Sequence, residues 1–159
     1  MNFDNDDNDF NDDDFSGDEG DDFEREIDAF RKSPLFQKAM EIHDVVDALS
    51  SSLTDDDARR YVSTIKESSI IIPAKIAGAY GSGNWLICMQ NASLIRYHAE
   101  YLHTATSGLK MFTSADKNYV KVLRDEMEIF REMFKEWVQS FSNLEKDDYE
   151  DEWGLFIRK

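Results

Sequence analysis

Apolar residues recur at alternating steps of three and four from Leu35 to Leu144, and this repeat constrains the fold more than any other feature of the chain. The spacing returns a side chain to one face of an α-helix on every turn, whereas a half-buried strand would alternate at every second residue. Four runs carry it. In the first, Leu35, Ala39, Ile42, Val46, Leu49 and Leu53 follow Ser33 and Pro34, an N-cap and first-turn pair. The second comprises Tyr61, Ile65, Ser69, Ile72 and Ile76. It follows Thr54 and the acidic Asp55, Asp56 and Asp57, which suit the positive end of a helix. Pro73 falls inside this run and predicts a kink, because its ring removes one backbone hydrogen bond. Gly78, Gly81 and Gly83 then break the pattern. Trp85, Cys88, Ala92, Ile95, Ala99, Leu102, Thr106 and Leu109 form the third run, which ends between Gly108 and Phe112. The fourth starts from Ser114 or Asp116 and holds Val120, Leu123, Met127, Phe130, Phe134, Trp137, Phe141 and Leu144.

Short connections between four amphipathic helices predict an all-α fold, an antiparallel up-and-down four-helix bundle over residues 33–144. Residues 1–32 read as an acidic, largely disordered N-terminal tail and residues 145–159 as a charged C-terminal tail. The second of these ends in Trp153, Leu155, Phe156 and Ile157 after an acidic stretch. The fourth helix is more apolar than one core face requires. Tyr119, Val122, Ile129 and Met133 adjoin its main stripe and predict an oligomer interface, so the chain is expected to be a homo-oligomer.

Charge narrows the choice of partner. Residues 1–22 hold eleven Asp and Glu and no Lys or Arg, and without them the net charge changes from −16 to −5. Nucleic acids and anionic membrane surfaces select clustered cations, so this balance argues against both. A basic protein partner fits better. Such a polar segment cannot bury enough surface to offset roughly 1–2 kcal/mol per residue of backbone entropy. Phe3, Phe10, Phe15 and Phe23 interrupt the acidic run and are the candidate partner-binding side chains, ordering on a basic groove with apolar pockets. No apolar run of eighteen residues and no basic signal region is present, which predicts a cytoplasmic protein. The one cysteine, Cys88, agrees with a reducing compartment and reads as a small buried side chain.

The run from Ile65 to Ala77, Ile-Lys-Glu-Ser-Ser-Ile-Ile-Ile-Pro-Ala-Lys-Ile-Ala, resembles the most recognisable stretch of the four-helix bundle proteins encoded in 23S rRNA intervening sequences. That family shows an Ile, two basic residues, small residues, then Ser-Ile-Pro-x-Asn-Ile-Ala-Glu-Gly. A weaker likeness extends from Gln37, Lys38 and Met40 through Trp85 to about Phe141 and leaves both tails uncovered. The resemblance implies an up-and-down bundle assembled as a homopentamer. Its relatives include accessory proteins of diversity-generating retroelements, basic barrels linked to nucleic acid and a reverse transcriptase. This chain departs from the family at polar positions: Lys75 stands for its Asn, Gly78-Ala79 for its Glu-Gly pair, and Ile71 for its Ser before Ile-Pro. The family's Gly-Ser-Leu-x-Glu stretch is not present, so fold transfers better than activity.

Catalytic arrangements are thin. Glu100 and His103 have the Glu-x-x-His spacing of di-iron bundles, but no second such motif occurs. His98 and His103 diverge around their helix, and His43 adjoins the first apolar stripe. The stretch from Gly78 to Gly83 lacks the Gly-Lys-Ser/Thr ending of a phosphate loop and reads as an inter-helix turn. The expected function is a non-enzymatic oligomeric interaction or scaffold protein, with no catalytic residue, cofactor or metal. The alternative is a nucleic-acid or reverse-transcriptase accessory protein using Arg59, Arg60, Lys66, Lys75 and Arg96.

Overall fold

The computed structural model of the protein describes residues 25, 27–54, 56–112, 115–144 and 146. Among them the regular structure is entirely helical. Four long helices carry it: α1 (Pro34–Ser52), α2 (Asp56–Tyr80), α3 (Trp85–Phe112) and α4 (Lys117–Ser140). A 3-10 turn, Phe141–Asn143, follows α4. Residues 27–31 form a further helical turn ahead of α1, where Phe30 sets its ring edge-on to Phe36 at 5.2 Å. The acidic stretch over residues 1–22 and the segment 147–159 lie outside the described residues.

The helix ends follow local chemistry. Ser33 caps α1 by accepting the Phe36 amide at 3.3 Å, and Pro34 occupies the first turn without wasting a donor. Arg59 bridges the next connection by donating from Nε to the Leu53 carbonyl at 3.0 Å. Asn84 accepts the amides of Leu86 and Ile87 at the start of α3, and Asp116 accepts the Asn118 amide at the start of α4. Gly83, with φ of 55°, makes the left-handed turn that admits Asn84 to its capping position.

Two boundaries differ from the sequence pattern. Gly78 does not end α2, which continues to Tyr80, because Ala79 is buried and makes one more turn of helix favourable. The α4 helix stops at Ser140 instead of reaching Leu144. Phe141 then turns inward in the 3-10 segment, with its ring edge-on to Trp137 at 4.6 Å. The α2 helix runs through Pro73, which is buried.

Each long helix packs on two others: α1 on α2 and α4, and α3 on α2 and α4. Their shared interior contains Ile42, Val46, Leu49, Ile65, Ile72, Ile76, Ile95, Leu102, Leu123 and Phe130. A large aliphatic or aromatic side chain taken fully out of water contributes about 1.5–3 kcal/mol, so this set dominates stability. A smaller cluster of Ala79, Cys88, Ala92 and Phe141, flanked by Trp85, Trp137 and Leu144, closes one end. The buried line of α2 passes through Ala58, Val62 and Ile65, not through Tyr61 as the spacing suggested. Tyr61 sits on the flank and donates from Oη to the Ala105 carbonyl of α3 at 3.3 Å. Its hydroxyl occupies the space a side chain at position 108 would need: a Cβ on Gly108 would stand 2.1 Å from Oη. Glycine is therefore favoured there by the neighbour's side chain and not by a turn, since any Cβ would have to displace the Tyr61 ring.

Candidate functional site

The four residues read as an oligomer interface divide between surface and core. Tyr119, Val122 and Ile129 are 38%, 42% and 48% exposed. Met133 is half-buried and packs against the interior, so it contributes to the chain's own core as well as to that row. Between them Glu126 accepts from Lys38 of α1 at 2.7 Å, and the same ammonium also bonds Glu41. The row thus flanks the α1–α4 seam. Phe3, Phe10, Phe15 and Phe23 lie outside the described residues.

A polar layer crosses the interior where α2 meets its neighbours. Ser68 and Ser69 are buried, which is unusual for hydroxyls and requires partners. Ser69 Oγ donates to the Lys66 carbonyl at 2.7 Å and lies 2.9 Å from His43 Nδ1 of α1. With its single proton given to the carbonyl, Ser69 can accept from His43 in the tautomer that carries its proton on Nδ1. Ser68 Oγ lies 3.2 Å from His98 Nδ1 of α3. Burial, reinforced by the charge of Lys75, holds His98 below the usual imidazole range. A neutral ring can accept the Ser68 proton, and Ser68 is only 6% exposed, so the contact lies within the packed interior. These serine–histidine contacts therefore align helices. Cys88 is likewise buried, with Sγ donating to the Ala79 carbonyl at 3.4 Å.

The α3–α4 seam is closed at one end and open in its middle. At the closed end Arg124 donates from Nε to Thr106 Oγ1 at 2.7 Å and from its guanidinium to Ser107 Oγ at 2.9 Å. Thr106 is fully buried and passes its own proton to the His103 carbonyl at 2.6 Å. Beyond this clamp Ala99 stands on α3 between the larger Ile95 and Leu102, and its short side chain leaves a groove of about 490 Å³. Ala99, Met127, Phe130 and Phe134 line the apolar floor, with charged residues at the rim. Arg96 pairs with Glu100 at 2.9 Å, Arg131 with Glu128, Lys135 with Glu132 at 2.8 Å, and His103 lies 3.7 Å from Glu128. Glu100 and His103 thus turn to different partners instead of converging. Among the described residues no group of three His, Cys, Asp or Glu side chains is placed to hold a metal ion.

The groove was invisible in the heptad pattern, since a small residue on a seam reads as ordinary core. Alanine at position 99, flanked by Arg96, Glu100 and His103, was its one signal in the sequence. No helix among the described residues is long and apolar enough to cross a membrane. No family model, curated protein or solved structure matches this chain.

Proposed function

We propose that this chain is a non-enzymatic, oligomeric interaction module, an antiparallel up-and-down four-helix bundle whose acidic N-terminal tail engages a basic protein partner. Cross-helix pairs support the antiparallel arrangement. His43 and Asp47 of α1 bond Ser69 and Lys66 of α2, so position rises along one helix as it falls along the other. The same inverse order joins Tyr61 and Ser68 to Ala105 and His98, and His103 and Thr106 to Glu128 and Arg124.

The observation that carries the association is the exposed row of Tyr119, Val122 and Ile129 beside the α1–α4 seam. Adjacent large apolar side chains in water mark a surface that another surface covers. A copy of the same chain is the partner always at hand, and the resemblance to the intervening-sequence bundles gives five as the subunit number. Light scattering at micromolar concentration tests it. The expected mass is a multiple of 18.5 kDa for the parent and 18.5 kDa for Val122→Glu with Ile129→Glu. A parent protein at monomer mass refutes the interface. Deleting residues 1–22 and repeating a pull-down tests the tail, and an unchanged set of partners removes its recruiting role.

Electrostatics favour this reading over a nucleic-acid accessory role. Lys66 is bonded to Asp47, Arg59 lies 3.6 Å from Asp56, and Arg96 is paired with Glu100. Each of these cations has a carboxylate beside it, so a phosphate backbone meets little net positive charge there. A mobility shift with duplex or single-stranded nucleic acid at physiological salt would reverse that preference.

A further inference from the structure

We infer that the open groove between α3 and α4 is the seat of this chain's own residues 147–159, which enter it from the Trp85 end and occupy it within the same molecule. The chain leaves α4 in the right place. After the 3-10 turn, Lys146 sets its ammonium over the Trp85 ring at 5.4 Å, at the first turn of α3. Arg96 and Glu100 stand eleven and fifteen residues further along that helix. At a rise of 1.5 Å per residue these are about 16 and 22 Å away. The seven residues from Lys146 to Trp153 span at most about 25 Å when extended, so Trp153 reaches the apolar floor without strain.

The composition of the segment complements the lining of the groove. Asp147, Asp148, Glu150, Asp151 and Glu152 come first, then Trp153, Leu155, Phe156 and Ile157, then Arg158 and Lys159. The groove sets Arg96, Arg131 and Lys135 along the rim of a floor of Ala99, Met127, Phe130 and Phe134, with Glu100 also on the rim and Glu128 beside His103 toward the end away from Trp85. In a chain of net charge −16 this is where cations border an apolar hollow. Their present carboxylate partners lie one turn away on the same helix and in water, where such pairs hold weakly and exchange readily. The seam is shallow at Ala99, and aromatic or branched side chains from outside supply the missing volume.

Engineered cysteines test it in the full-length chain carrying Cys88→Ala. Thr104→Cys on the groove with Phe156→Cys should form a disulfide within one chain at least tenfold faster than Met40→Cys with Phe156→Cys. Met40 lies on α1, which does not touch α3. The rate should not change on dilution. A rate equal to the Met40 control, or a disulfide found only between two chains, overturns the proposal. A second measurement needs no cysteine. Cleavage after Glu150 and Glu152 by a glutamate-specific protease should be at least fivefold faster in Arg131→Glu with Lys135→Glu than in the parent. Equal rates, with helical content preserved in both, also overturn it.

Discussion

Replacing Gly108 by alanine sets two effects of opposite sign against each other, and the structure decides which wins. Position 108 lies inside α3, where alanine is favoured over glycine by about 1 kcal/mol because the unfolded chain has less backbone freedom to lose. Against this, the added Cβ would lie 2.1 Å from Tyr61 Oη and 2.9 Å from Cζ, distances at which the ring has to move. Moving it breaks the bond to the Ala105 carbonyl, a loss of about 1 kcal/mol, and disturbs a packed ring at a further cost of about 1–3 kcal/mol. Gly108→Ala should therefore destabilise the protein by about 1–3 kcal/mol in spite of its better helix propensity. The same substitution should become stabilising by about 1 kcal/mol in a Tyr61→Leu background, where the obstruction is gone. Urea unfolding followed by circular dichroism, with all variants at one protein concentration, measures both values. If alanine stabilises the parent as much as it stabilises the Tyr61→Leu protein, the tyrosine does not set the approach of α2 to α3 and the reasoning fails.

The α3–α4 clamp gives a second test: Thr106→Val keeps the shape of a fully buried side chain but removes the acceptor for Arg124 Nε. It should lower unfolding free energy by about 1–3 kcal/mol in the same urea assay, and an unchanged midpoint would dismiss the clamp. Stability should also fall as pH is lowered through the ordinary imidazole range near 6.5, because the unfolded chain takes up a proton there that folded His98 resists. His98→Gln should flatten this part of the pH profile, and an identical slope in parent and variant would show that His98 does not cause it.

Neighbours in sequence determine much of this protein. Ser33 followed by Pro34, and Asp116 ahead of Lys117, open helices because capping involves groups within three residues of each other. The lines from Leu35 to Leu53 and from Val120 to Phe130 are buried as their spacing required, since an isolated helix already has that periodicity. The second helix shows where such reasoning stops. Tyr61 and Val62 are adjacent and both apolar, and only the position of α3 puts Val62 in the interior and leaves Tyr61 to reach across to Ala105. Gly78 looked like a helix end until Ala79 had a partner to pack against. The serine–histidine layer, the glycine at 108, the Arg124 clamp and the hollow at Ala99 join residues 17 to 47 positions apart. Periodicity says which face of a helix turns inward. It carries no information on the height at which two helices meet, and that offset, set by how their side chains interlock, decides which polar groups find each other and where space is left open.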